Sequence, residues 1–165
     1  MKNKILLVSG EPNSINSEII YKSLKKMSNK FQKRIYLISN YELIKKQLEL
    51  LKYKKKLVKV KNLYEISNKN ELKIIDISLK FKNPFKVSNK ESSKFVINSL
   101  NCAHNYSLNE NVVALINCPI NKKLLNKKEY GVTEHLARKC NINDNSEVML
   151  IKNKKLAVCP ITTHQ

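Results

Sequence analysis

The first sixty residues alternate between short apolar runs and segments whose apolar residues recur every three or four positions. Residues 4–9 form a short apolar run that ends at Gly10, which predicts a buried parallel strand. In residues 14–28 the apolar side chains fall on one face of a helix, so we expect a helix there. The pattern then predicts a strand, a helix and a strand over residues 34–39, 41–53 and 57–61.

The alternation continues through the rest of the chain. Extended segments at residues 72–81 and 111–116 flank a predicted helix over 90–106, and the second is expected to be a buried strand. Short helices through Leu125 and over 134–139 come next. Two strands, at 147–151 and 156–161, then flank a polar turn at 152–155. Because parallel strands need crossovers and helices supply them, the order predicts an α/β fold. We expect three layers, with a mostly parallel sheet and helices on both faces, in a single region over residues 1–165 without an internal boundary.

The charge of the chain is unusual but does not by itself indicate a nucleic-acid binder. Lys and Arg number 32 against 13 acidic residues, a formal charge of +19, and the only arginines are Arg34 and Arg138. Proteins that read phosphates usually employ arginine, and RNA-binding surfaces interleave aromatic residues with basic ones. A solvated basic surface is therefore the main interpretation, and specific nucleic-acid binding is not expected. A basic α/β module that holds a polyanion stays open as the alternative.

Several classes of protein do not fit the sequence. No apolar run approaches the ~20 residues that cross a bilayer, and the amino-terminal run is too short for a signal peptide, so we expect a cytoplasmic protein without a membrane partner. The four cysteines lie far apart without a CxxC pair, which argues against a zinc knuckle or a redox motif and favours thiols in the core.

A few positions are candidates for chemistry. With only two glycines in the chain, Gly10 and Gly131 are expected at positive φ or at a close backbone approach, the alternative being an ordinary turn. Thr133, at a predicted helix start, can offer its hydroxyl to an anion or act only as an N-cap. His164 follows the last predicted strand, where a metal or proton-transfer role and a structural role both remain possible. His104 and His135 lack ligand spacing and are expected at the surface, and no P-loop, GxGxxG, nucleophile elbow or HExxH occurs.

An ordered set of motifs resembles the 4-hydroxythreonine-4-phosphate dehydrogenase family over essentially the whole chain. The matching pieces are SGEP at residues 9–12, LINCPINK at 115–122, GVTEHLA at 131–137, VML at 148–150 and TTH at 162–164. The resemblance implies a fold like that of isopropylmalate dehydrogenase and a homodimer. It also implies NAD-dependent oxidation of 4-phosphooxy-threonine, followed by decarboxylation, in vitamin B6 biosynthesis.

The resemblance also implies roles for particular residues. Thr133 matches the threonine of the family's substrate-binding His-Thr pair, and Val132 replaces the histidine. His164 matches the first of three histidines that hold a divalent ion, zinc, magnesium or cobalt, across the dimer. The family's Gly-rich AGIG segment is Asn-Ser-Ile-Asn at residues 13–16, a loss of flexibility in that turn.

The family's other metal ligands and most of its NAD site lie in a second half of similar size. The resemblance therefore implies a truncated, N-terminal half of the enzyme. Catalytic and NAD-binding residues cannot be assigned within this half, and we expect the chain alone to be inactive.

Overall fold

The computed structural model describes residues 3–65, 70–108, 111–125, 131–142 and 146–160. Its internal contacts group the chain into two compact units, Met1–Leu124 and Leu125–Gln165, and each is described by itself. The prediction of a single region without an internal boundary stays a prediction.

The first unit is built on a parallel sheet of five strands. The strands are β1 (Lys4–Val8), β2 (Ile35–Ser39), β3 (Lys56–Val60), β4 (Glu71–Asp76) and β5 (Val112–Asn117). They lie in the order β3-β4-β2-β1-β5, and all four pairings are parallel. Strand β1 is therefore flanked by the next strand in sequence and by the last one.

The helices of this unit, except the first, begin after a polar N-cap side chain. They are α1 (Asn16–Lys26), the single turn α2 (Asn29–Gln32), α3 (Tyr41–Leu50) and α4 (Asn89–Ser107), and a 3-10 turn follows at Lys122–Leu124. The Asn40 side chain accepts a hydrogen bond from the Leu43 amide at 2.9 Å, and Ser88 accepts one from the Glu91 amide at 3.3 Å. Such caps satisfy amides that a helix leaves without partners at its start.

Two apolar layers cover the sheet. On one face, Ile20 and Leu24 of α1 and Ile44 and Leu48 of α3 form a buried cluster with residues of β1, β2 and β4. Helix α4 packs against β1, β2 and β5, and its inner residues are fully buried. Successive strand residues point to opposite faces, so both faces are apolar and both need a helical cover. The predicted three-layer α/β fold is confirmed.

The sequence prediction was wrong about two strands of this sheet. Strand β4 ends at Asp76 instead of residue 81, because its partner β2 ends at Ser39 and no described strand continues beside it. Strand β5 is an edge strand instead of a buried one, and Val113 and Ile116 are 53% and 50% exposed. Its continuous apolar run resembles that of a central strand, although β1 is its one partner among the described strands.

The second unit contains one helix and a small hairpin among its described residues. Helix α5 spans Val132–Lys139, and the two-residue strands β6 (Ile151–Lys152) and β7 (Ala157–Val158) pair antiparallel. The turn that joins these strands is the predicted one, and the Asn153 side chain accepts the amides of Lys155 and Leu156, each at 2.8 Å. Both strands are shorter than predicted, since the apolar residues of the hairpin are largely exposed and little packing extends the pairing.

Candidate functional site

The carboxyl ends of β1 and β5 lie side by side where the direction of strand connection changes, and we call this part of the sheet edge the crevice. The strand that follows β1 in sequence, β2, lies on one side of β1. The strand on the other side of β1 is β5, which comes three strands later in the sequence than expected for a neighbour. In open α/β sheets, ligands bind at such a point. Ser9 and Gly10 leave β1 here, and Cys118 and Pro119 leave β5.

Gly10 makes the close approach in this crevice. Its φ is +75°, and a Cβ built on it would lie 2.6 Å from the Pro119 carbonyl oxygen and 2.5 Å from the Asn16 amide nitrogen. An L side chain would be strained there and would collide with backbone that cannot move away easily. The prediction for Gly10 is therefore confirmed. Gly131 has an extended backbone, with φ −174°, so the prediction of a special conformation was wrong for it.

Polar side chains hold the loop that joins β1 to α1, residues 9–15, which we call the first loop. Asn13 exchanges two hydrogen bonds of 2.8 Å with the backbone of Val87. The Ser14 hydroxyl donates to the Glu11 carbonyl at 2.9 Å and accepts the Asn16 amide at 3.2 Å. Asn13 and Ser14 stand where the resemblance places a Gly-rich segment. Their side chains fix the first loop through hydrogen bonds to the backbone.

Two further residues tie the first loop to distant parts of the chain. Asn16 is 3% exposed and donates from its side-chain amide to the Pro119 carbonyl at 2.9 Å. Buried Gln47 on α3 donates to the carbonyls of Pro12, at 2.8 Å, and Pro84, at 2.7 Å. Gln47 was not predicted as a site residue. Its signal was a polar residue between Ile44 and Leu48 on the apolar face of a helix.

An open cleft of about 290 Å³ lies at the start of α1. Its lining is formed by Asn13, Ser14, Ile15, Ser17, Glu18, Leu51 and Phe85. Ser17 is 3% exposed, and its hydroxyl has no hydrogen-bond partner among the described residues. The Glu18 carboxylate forms an ion pair with Lys22 at 2.6 Å. The hydrogen bond from Lys22 and its positive charge hold the pKa of the Glu18 carboxyl below the ordinary value. The cleft therefore combines an apolar wall with a carboxylate that is already neutralised.

Cys118 follows β5 and is buried. Burial raises the pKa of its thiol to about 11, which disfavours the thiolate at neutral pH. All four cysteines are free. The prediction of core thiols holds for Cys118, and Cys102 is half-buried, but Cys140 and Cys159 are exposed because they lie outside the apolar layers.

The substrate-side candidates lie in the second unit. Thr133 is exposed in the first turn of α5, whose N-cap is Gly131, so the alternative that Thr133 is the cap is excluded. Val132 is half-buried beside it. The Glu134 carboxylate folds back over Gly131, where a Cβ would lie 2.9 Å from one of its oxygens. A negative charge thus already occupies the positive end of this helix.

The two other histidines were predicted wrongly. His135 is 3% exposed and His104 is also buried, although both were expected at the surface. Each lies on the apolar face of its helix, His104 one turn after Leu100. The absence of ligand spacing did not predict their exposure, because the face of the helix on which a residue lies decides whether it is buried.

Comparison with known proteins decides the family. The model of the family described as "Pyridoxal phosphate biosynthetic protein PdxA" matches residues 12–165. The chain belongs to the PdxA family. A search of curated proteins gave no match.

Solved structures similar to this PdxA chain share its fold. The 4-hydroxythreonine-4-phosphate dehydrogenase from Klebsiella pneumoniae aligns with a TM-score of 0.80 and 22% identity, over 95% of this chain and 50% of that one. The enzyme from Burkholderia phymatum aligns with a TM-score of 0.84 and 22% identity, over 100% of this chain and 51% of that one. The PdxA chain therefore spans about half the length of these structures.

A metal site cannot be built from the part of this PdxA chain that the structure describes. His164 lies outside the described residues, and among the described ones no group of three His, Cys, Asp or Glu side chains is placed to hold an ion. Within the same residues, no helix has the length and apolarity to span a membrane.

Proposed function

We propose that this chain forms the substrate-side half of a 4-hydroxythreonine-4-phosphate dehydrogenase. The reaction is the NAD-dependent oxidation of the hydroxyl of 4-phosphooxy-L-threonine, followed by loss of CO2, in the synthesis of pyridoxal phosphate. The observation that carries the proposal is the family match over residues 12–165. We further propose that the complete enzyme works as a cytoplasmic homodimer.

The residues of the chain support a role in binding and positioning. The Thr133 hydroxyl and the first-turn amides of α5 form an anion-binding arrangement for the substrate. Glu134 must turn away from Gly131 before a phosphate or carboxylate can enter, since two negative charges would repel there. The Val132 side chain has no hydrogen-bond donor, so it can contribute apolar contact to the substrate but no hydrogen bond to a charged group.

The crevice between β1 and β5 contributes rigidity. Gly10 lets the two strand ends approach, and Asn16 and Gln47 hold the first loop in one position. A site whose loops are fixed in advance does not have to order them when the substrate binds.

The cofactor and the metal belong to residues beyond the described part of this chain. In the complete enzyme, His164 and the other metal ligands of the family would hold a zinc, magnesium or cobalt ion, which would supply polarisation of the substrate oxygen, and NAD would supply the hydride acceptor. The described residues contain no group of three metal-ligating side chains, and we assign them no role beyond binding and orientation.

The test uses this chain alone and a chimera in which the unmatched half of the Burkholderia phymatum enzyme follows Gln165. NADH formation from 4-phosphooxy-threonine is measured by absorbance with metal added. We expect turnover by the chimera and none by the chain alone, because half of the site cannot hold the alcohol against the nicotinamide. An inactive chimera would contradict the proposed reaction, and turnover by the chain alone would contradict the assignment of half a site.

The substitution Val132→His in the chimera tests the substrate role of α5. A histidine adds a hydrogen-bond donor beside Thr133, so the KM for 4-phosphooxy-threonine should fall several-fold while kcat changes little. His135→Ala is the control, and it should leave KM nearly unchanged. The reverse pattern would assign the role to His135.

A further inference from the structure

Two short segments of the chain hold a large share of its positive charge. Residues 25–34 and 52–56 contain nine of the 32 basic residues in 15 of the 165 positions, and all 13 acidic residues lie outside them. The nine are Lys25, Lys26, Lys30, Lys33, Arg34, Lys52, Lys54, Lys55 and Lys56. Lysine is frequent throughout the chain, but a general excess of lysine does not explain why so many basic residues lie in these two segments.

The fold brings the two segments together at one end of the sheet. Residues 25–34 lead into β2 and residues 52–56 lead into β3, and the amino ends of parallel strands lie at the same edge of a sheet. The Lys55 ammonium donates a hydrogen bond to the Gln32 side-chain oxygen at 2.7 Å, which joins one segment to the other. We call the surface formed by these two segments the basic edge.

Most of the charge of the basic edge faces solvent. Six of the nine side chains are exposed, those of Lys25, Lys26, Lys30, Lys52, Lys54 and Lys56. Lys25 and Lys26 lie in the last turn of α1, where they also offset the negative end of the helix. Glu49, exposed near the end of α3, is the acidic residue nearest to the basic edge in sequence. A surface with so large an excess of cations attracts polyanions.

Aromatic rings lie among these cations. Phe31 is 39% exposed, and the central carbon of the Arg34 guanidinium lies 5.3 Å from the centre of its ring. The rings of half-buried Tyr21 and Tyr53 stack with their centres 4.2 Å apart. Unpaired bases stack on such rings and on guanidinium planes. The rings therefore favour a single-stranded nucleic acid over a duplex, whose bases are already stacked.

A lipid surface fits the basic edge less well. Segments that lie on membranes combine basic residues with a broad apolar face. In the basic edge, all of whose residues the structure describes, Phe31 is the one large apolar side chain that is exposed. A single ring gives a base a place to stack but gives a membrane little to hold.

We propose that the basic edge binds single-stranded nucleic acid without sequence preference, its lysines on the phosphates and Phe31 and Arg34 against a base. Lysine acts on phosphate as a point charge and reads no base, so the binding is independent of sequence. The inference does not rest on the proposed reaction, because the crevice lies at the carboxyl ends of the strands and the basic edge at their amino ends.

Salt dependence of RNA binding is the first test. Fluorescence anisotropy measures the Kd of the full chain for a labelled oligouridine about 12 nucleotides long. We expect the Kd to rise about 50- to 300-fold when NaCl is raised from about 25 to 100 mM, as about four to six phosphate contacts on a single strand predict. No binding at the lower salt concentration, or a Kd that salt leaves unchanged, would overturn the proposal.

Two variants of equal net charge separate the basic edge from the charge of the whole chain. The first carries four substitutions at exposed positions of the basic edge, Lys26→Gln, Lys30→Gln, Lys54→Gln and Lys56→Gln. The control carries four at exposed positions outside it, Lys80→Gln, Lys82→Gln, Lys90→Gln and Lys94→Gln. We expect the Kd to rise at least about thirtyfold in the first and less than about threefold in the control. Equal weakening would overturn the proposal, since binding would then follow the total charge.

Substitution of Phe31 tests base stacking. Phe31→Leu keeps an apolar side chain but removes the ring, so the Kd should rise about fivefold or more while its salt dependence stays the same. Phe31→Tyr keeps the ring and should leave the Kd within about twofold of the original value. Similar affinities of the two variants would refute stacking on Phe31.

A duplex and a lipid surface are the competing occupants. An RNA duplex of the same length should bind at least about fivefold more weakly than the oligouridine at about 100 mM NaCl. Phosphatidylcholine vesicles that contain phosphatidylserine should not sediment the chain at that salt concentration. Tighter binding to either one, lost in the four-lysine variant of the basic edge, would assign this surface to that occupant instead. NADH formation by the chimera bears on none of these outcomes, so the two proposals fail separately.

Discussion

Lys73 and Lys4 place two ammonium groups on one buried face of the sheet. The Lys73 side chain is 4% exposed, lies 3.8 Å from the centre of the Tyr36 ring, and donates to the Lys33 carbonyl. Lys4 lies over the Tyr64 ring at 4.5 Å. Burial, and then the charge of Lys4, lower the pKa of Lys73 from 10.5 to about 8. The aromatic rings and the carbonyl offset part of the cost of burying this charge.

Replacement of Lys73 by Met should stabilise the protein at neutral pH by about 1 to 3 kcal/mol, since a buried cation is removed and its volume is kept. The wild-type folded state releases its proton at a lower pH than the unfolded state. Wild-type stability therefore rises between about pH 8 and 10.5, and the gain from Lys73→Met shrinks over that window. Urea unfolding at several pH values measures this. Lys56→Met, at an exposed site, is the control, and a pH-independent gain would refute the explanation.

At the level of elements, the connection between β1 and α1 depends on one buried amide. Asn16→Ala leaves the Pro119 carbonyl without its donor, so we expect a loss of about 1 to 2 kcal/mol in the free energy of unfolding. Asn29→Ala, at an exposed position in α2, should change stability by less than about 0.5 kcal/mol. Urea unfolding at neutral pH compares the two. Equal losses would mean that the bond between Asn16 and Pro119 contributes nothing.

The longer helices and the first three strands followed from the sequence because apolar periodicity is a local signal. Edge position is not local, and so β5 was predicted as a buried strand although, among the described strands, β1 alone lies beside it. In the candidate site, Gly10 could be predicted because glycine is scarce in this chain. Asn16 and Gln47 could not, since their partners lie 103 and 35 residues away in sequence.

At the scale of the whole molecule, positive charge exceeds what acidic residues can neutralise. With 13 acidic residues for 32 basic ones, the basic side chains outnumber the acidic ones by 19. Added NaCl should therefore raise the Tm, because screening weakens the repulsion that opposes the compact state. A thermal melt series from about 10 mM to 300 mM salt tests this, with KCl as the control for a specific effect of sodium. A Tm that falls with salt would show that attractive ion pairs dominate instead.

The strand order has a consequence for how the chain is made. Strand β1 pairs with β2 about 30 residues away, but with β5 more than 100 residues away. At roughly 5 to 20 residues per second, a ribosome needs about 5 to 20 s to synthesise the chain between β1 and β5. During that time one side of β1 has no partner, and closing so long a loop is the slow step in forming the sheet. The strand that leaves the ribosome first is thus among the last to be completed, which makes its apolar residues a natural target for chaperones on the nascent chain.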